Sequence, residues 1–133
     1  MQRYFACDNF KEARMAAAAS ILVVEDEPLV AMTMEAALRG AGWKVIGATS
    51  TLAGAVSLAR SATCSAAVLD VNLRGERVDE VAAILHERGI PFLFVSGYDR
   101  GNLPPTFRDS AGFLSKPFSD RLLVQTVRSL LTG

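Results

Sequence analysis

Four short apolar runs, at residues 21–24, 66–69, 92–95 and 111–114, each stop abruptly at polar side chains. Runs of this length and composition read as strands buried on both faces. They end in Glu25-Asp26-Glu27, in Asp70, in Ser96 and in Ser115-Lys116. An ionised carboxylate is costly to bury, so an acid such as Asp70 marks the point where its strand emerges. In open α/β sheets that carboxyl end is where ligands bind. A single acid there reads as a polar strand stop or a helix cap. Four strand ends with complementary chemistry read as a site.

The stretches between the runs carry helical spacing. Val30, Met34, Ala37, Leu38 and Ala41 recur on one face after Pro28, which suits a first helical turn. Gly40 and Gly42 end this helix. The acids at 25–27 precede its positive end. Glu27 is assigned to capping, which leaves Glu25 and Asp26 for other chemistry. Residues 43–48 form a second strand, and Ser50 or Thr51 caps a helix faced by Leu52, Ala55, Val56 and Ala59. Residues 71–75 read as a loop. Val78, Val81, Ala82 and Leu85 make a further stripe, closed by Gly89 and Pro91. His86 falls off that stripe and reads as a solvated surface residue. Residues 99–110 are rich in Gly, Pro and charge, so any helix there is expected to be short and mobile. Leu123, Val127, Leu130 and Leu131 share one face of a last helix.

Five strands alternating with helices predict a doubly wound α/β domain, a flavodoxin-like (βα)5 fold with a parallel sheet of order 2-1-3-4-5. The switch point then lies between strands 1 and 3. Glu25 and Asp26 face Asp70 across one crevice, and Ser96 and Lys116 arrive from strands 4 and 5. Three carboxylates in one crevice repel unless a cation intervenes. Oxygen ligands of this kind suit Mg²⁺. A nucleophilic carboxylate, a hard cation, a lysine and a hydroxyl are what phosphoryl transfer onto Asp requires.

Composition narrows the alternatives. The 133 residues are enough for one domain, and 14 basic residues balance 14 acidic ones. Without a basic stripe, electrostatic capture of nucleic acid is unsupported, as is a polybasic membrane anchor. No apolar run approaches a membrane span. Cys7 and Cys64 stand alone, as free thiols do in a reducing compartment, and the cytoplasm is the expected location. With His86 they make no zinc site at usual spacing. Residues 1–19 lack a clear period and read as a flexible extension to a domain at 20–133. A short helix packed on the domain is the alternative, and Met15 is a candidate natural start.

The segments Val23-Val24-Glu25-Asp26-Glu27-Pro28, Val68-Leu69-Asp70-Val71-Asn72-Leu73, Val95-Ser96-Gly97-Tyr98 and Phe113-Leu114-Ser115-Lys116-Pro117-Phe118 resemble the motifs of response-regulator receiver domains. The resemblance covers residues 20–131. It implies that Asp70 accepts phosphate from a histidine kinase or phosphotransfer protein. It implies that Glu25, Asp26 and Asp70 hold Mg²⁺, with the backbone carbonyl of Asn72 as a further ligand and Glu25 acting through a metal-bound water. Lys116 would contact the phosphoryl group or Asp70, across a cis Lys116-Pro117 bond. Ser96 would swing to bond a phosphoryl oxygen, with Gly97 leaving room.

Such a domain is a phosphoacceptor that assists its own phosphorylation rather than a conventional enzyme. With no output domain after residue 131, it is expected to be a monomer or weak dimer that changes its affinity for a partner protein or else drains phosphate from a kinase. Two departures stand out. Phe113 occupies the position of the usual switch tyrosine, so its coupling to Ser96 can only be steric. The segment between strands 4 and 5 is poor in helix formers, so the usual fourth helix is expected to be short or displaced. The run Pro91-Phe92-Leu93-Phe94-Val95-Ser96-Gly97-Tyr98 also resembles the Pro-Phe-x-Phe-x-(Ser/Thr)-Gly-Tyr run of alphaproteobacterial single-domain regulators tied to stress signalling. The competing readings are a haloacid-dehalogenase-like phosphohydrolase, which needs an acid where this chain has Asn72, and a degenerate receiver serving only as an interaction module.

Overall fold

In the computed structural model, which describes residues 19–49, 51–97, 103–107 and 112–132, the apolar runs are strands covered on both faces. The elements are β1 (Ser20–Val24), α1 (Pro28–Gly40), β2 (Lys44–Thr49), α2 (Leu52–Ser61), β3 (Ala66–Asp70), α3 (Asp79–Glu87), β4 (Phe92–Ser96), β5 (Gly112–Ser115) and α4 (Asp120–Thr132). The five strands form one parallel sheet in the order β2-β1-β3-β4-β5, as the sequence predicts.

Successive side chains of each strand point to opposite faces, and each face has its own core. Leu22, Val24, Leu69 and Phe94 pack with Ala55 and Ala59 of α2 and Val81 and Leu85 of α3. Ile21, Val23, Val68 and Val95 pack with Met34 and Leu38 of α1 and Leu123 and Val127 of α4. Burying one such side chain fully contributes about 1.5–3 kcal/mol. The helical stripes lie where their spacing puts them. Val30 and Ala37 on α1, Ala41 just after it, and Leu130 and Leu131 on α4 are partly buried flanks.

Local chemistry sets the boundaries. The Thr51 hydroxyl accepts from Gly54 N at 3.1 Å and caps α2; Ser50 lies outside the described residues. The β1–β2 register jumps from Leu22↔Ile46 to Val23↔Ala48, so Gly47 is the extra residue of a bulge. It has φ +46, and a Cβ there would stand 2.6 Å from Leu58 Cδ1.

Three expectations need correction or extension. Residues 71–75 are not an open loop: Asn72–Leu73 and Glu76–Arg77 pair as a small antiparallel hairpin. Its turn residues Arg74 (φ 52) and Gly75 (φ 87) both adopt positive φ, the signature of a tight two-residue hairpin turn. Between β4 and β5, residues 98–102 and 108–111 lie outside the described residues. Pro105–Phe107 forms a single 3-10 turn, and Leu103 and Phe107 are buried. The polar composition of that segment hid these two anchors. The Phe107 ring meets Phe92 edge-on at 5.3 Å and His86 at 5.4 Å. His86 is thus an exposed residue with one ring edge against the core. Cys64 is a free, half-buried thiol; burial pushes its pKa up against the opposing charge of Arg88. Cys7 and the extension at 1–18 lie outside the described residues. Among the described residues no helix is long and apolar enough to cross a membrane.

Candidate functional site

Strand register brings the polar strand ends level. Val24 pairs with Leu69, Asp70 with Val95, and Ser96 with Ser115. Glu25, Asp70, Ser96 and Lys116 therefore emerge from neighbouring strands at one edge of the sheet. Lys116 N donates to Ser96 O at 2.8 Å, carrying the ladder one residue further. The bond from Lys116 to Pro117 is cis.

One ligand oxygen from each of Glu25, Asp26 and Asp70 lies within 4.8 Å of the others. Glu25 and Asp70 are buried and Asp26 is half-buried. Each carboxylate accepts one backbone N–H: Glu27 N donates to Glu25 Oε2 at 3.2 Å, Asn72 N to Asp70 Oδ1 at 3.2 Å, and Arg74 N to Asp26 Oδ2 at 2.9 Å. The hairpin makes the last of these possible. Gly75 N donates to Asn72 Oδ1 at 2.7 Å, which closes the turn that aims Arg74 N at β1's end. Sequence reasoning missed this link; Gly75, three residues after a turn-forming Asn, was the available signal.

Lys116 joins the strands through charge. Its Nζ lies 2.8 Å from Glu25 Oε1, 3.3 Å from Asp70 Oδ2 and 3.4 Å from Glu27 Oε1. The expected contact with Asp70 is present, but Glu25 is the nearer partner. Burial pushes the Glu25 carboxyl up to about 7, reinforced by the neighbouring Asp70 and opposed by Lys116. Burial pulls Lys116 down, but the bond to Glu25 and the charge of Asp70 outweigh it and leave its pKa raised. Glu27 departs from its expected role. It is the residue before α1, yet its side chain makes no cap bond; its carboxylate points to Lys116 instead.

The acids fit a hard cation. Glu25 Oε1 is buried, and the Lys116 ammonium 2.8 Å away is the cation set against it. One ammonium facing three clustered carboxylates leaves negative charge that a small divalent ion with oxygen ligands can offset. Ser96 is buried at the end of β4. Phe113 packs partly buried against the core that holds Phe92, Phe94 and Phe107. Asn72 supplies its amide to Asp70 and its side chain to the turn.

Residues 21–128 match the response regulator receiver domain model. The chain belongs to that family. It is 34% identical over 104 residues to the phyllosphere-induced regulator PhyR of Methylorubrum extorquens, covering 76% of this chain and 39% of PhyR. It is 27% identical over 110 residues to the transcriptional regulatory protein PdtaR of Mycobacterium tuberculosis, covering 80% of this chain and 54% of PdtaR. The chain thus spans about two fifths of the one and just over half of the other. The solution structure of SdrG from Sphingomonas melonis Fr1 superposes with a TM-score of 0.75 at 40% identity, over 86% of this chain and 98% of that one. Receiver domains are regulatory domains of two-component systems that bind Mg²⁺ in an acidic pocket, and Glu25, Asp26 and Asp70 form an acidic cluster here.

Proposed function

We propose that Asp70 accepts a phosphoryl group from the phosphohistidine of a kinase or phosphotransfer protein, and that this changes the domain's affinity for a partner protein. The observation that carries the reading is the placement of the Asp70 carboxylate at a strand end, among two further acids, with the Lys116 ammonium 3.3 Å from Oδ2. A carboxylate oxygen of Asp70 attacks phosphorus, a P–O bond forms, and the P–N bond breaks with its electron pair returning to the imidazole. Lys116 offsets the negative charge that collects on the phosphoryl oxygens. The Ser96 hydroxyl donates to one of those oxygens. Mg²⁺ held by Glu25, Asp26, Asp70 and the carbonyl of Asn72 would supply the remaining positive charge.

The similarity to PhyR and SdrG supports placing the chain with the regulators that share the Pro91–Tyr98 pattern. A cytoplasmic location and a monomer or weak dimer complete the reading. Asn72 argues against the phosphohydrolase alternative, because it cannot act as a general acid. Labelling with acetyl phosphate tests the assignment. Label is expected only with Mg²⁺, in acid-stable, base-labile form, and Asp70→Asn is expected to abolish it while the circular dichroism spectrum persists. Undiminished labelling of that variant sinks the assignment, and no labelling of the parent indicates an interaction module.

A further inference from the structure

The ammonium of Lys116 is shared by three carboxylates, and one of them is outside the acidic pocket. Glu27 Oε1 lies 3.4 Å from Lys116 Nζ, while the compact cluster comprises Glu25, Asp26 and Asp70 alone. The Glu27 side chain is 63% exposed, whereas that of Lys116 is 18% exposed. Its backbone is fixed: Glu27 N donates to Glu25 Oε2 at 3.2 Å, and its carbonyl accepts Ala31 N at 2.9 Å to start α1. The side chain takes no part in capping. Of the three carboxylates that share Lys116, that of Glu27 is therefore the exposed one, beside two that are buried.

We propose that Glu27 is a positioning residue that holds Lys116 outward and competes with the phosphoryl group for its ammonium. The inference rests on the reading of Asp70 as the phosphoacceptor. Lys116 can satisfy one strong new partner only by weakening others. A phosphoryl group on Asp70 adds acceptors on the pocket side and draws the ammonium inward, away from Oε1 of Glu27. Glu27 thereby favours the unphosphorylated arrangement. Taken at about 0.4–1 kcal/mol, within the range of exposed ion pairs, the bias is about two- to fivefold.

Beryllofluoride binding at saturating Mg²⁺, followed by NMR on the full chain, tests this. Glu27→Gln is expected to bind beryllofluoride about two- to fivefold more tightly than the parent. In a Lys116→Ala background the same substitution is expected to change nothing. An equal gain in that background shows a plain charge effect on an anion and overturns the proposal, as does no gain in the parent. If Lys116→Ala binds too weakly to titrate, the ε-carbon resonance of Lys116 decides. Glu27→Gln must move it before beryllofluoride is added and leave its position in the complex unchanged; any other pattern overturns the proposal. Asp70-independent binding, or none, would instead count against the phosphoacceptor reading.

Discussion

The two halves of the site are held by different means. At the ends of β1 and β3, Glu25, Asp26 and Asp70 are each tied to a backbone N–H at 2.9–3.2 Å, two of those amides lying only two residues along the chain. On β4 and β5, Ser96 and Lys116 owe their places to strand pairing. The side chain of Lys116 meets the acids through ion pairs at 2.8–3.4 Å, and it donates hydrogen bonds to Asp70 and Glu27 in two of them. The acid half is a fixed platform whose charge can change. The lysine half is attached to it by bonds that depend on that charge. A ligand shifts a conformational equilibrium only by its differential affinity for the two states. Here the difference is made where Lys116 chooses among acceptors.

Removing the link should produce the largest effect. Lys116→Ala leaves the Glu25 carboxylate buried without its cation. We expect the metal-free variant to lose roughly 3 kcal/mol in urea unfolding, near the low end for orphaning a buried charge, because Glu25 can take up a proton. Millimolar Mg²⁺ should restore most of that. Phosphorylation of Asp70 should remain possible, but the change in partner affinity should be lost. A variant as stable as the parent without metal, and as responsive, would show Lys116 to be a solvated strand-end lysine.

A change of pH probes the platform through Glu25. Without divalent cation, the folded Glu25 carboxyl has a pKa of about 7 against an ordinary value of 4.5. The folded state then binds the proton more tightly than the unfolded chain does. Stability is fullest below pH 4.5 and falls as pH rises towards about 7, by at most about 3 kcal/mol from this group. Glu25→Gln should flatten that stretch of the profile. A parent whose stability rises throughout the interval in EDTA would show that Lys116 overcompensates the burial of Glu25.

Sequence legibility follows the same division. Every strand of the five-stranded sheet and its order can be read, because continuous apolar runs leave little choice between layers. Glu25, Asp26, Asp70, Ser96 and Lys116 could be placed together because each ends such a run. What escaped depends on contacts distant in sequence. The Arg74 amide reaches Asp26 across 48 residues, through a hairpin whose strands are two residues each, too short to show periodicity. Glu27 reads as a cap because acids before a helix usually serve that end, and Lys116, 89 residues away, redirects it. Leu103 and Phe107 are core residues inside a segment whose average composition is polar, so composition concealed them.

The smallest effect expected is the one that carries the signal outward. With beryllofluoride and Mg²⁺ the acids should keep their backbone bonds, since Glu27, Asn72 and Arg74 amides are fixed by α1 and the hairpin. Ser96 and Lys116 sense the added group, and both belong to the β4–β5 pair. Phe113 lies opposite Phe94 in that pair and packs partly buried beside it. Having no hydroxyl, it can respond to a moving Ser96 only by filling or yielding space, and close-packed interiors transmit such shifts to their neighbours. Amide hydrogen exchange should therefore change by roughly tenfold, about 1.4 kcal/mol, in Gly112–Ser115 and the first turn of α4. Exchange in α2, which packs on α3 and shares no ion pair with Lys116, should stay within about twofold of its starting rate. Changes confined to α1 and α2, with β5 unaffected, would mean that the signal leaves from the platform and that the lysine half merely follows.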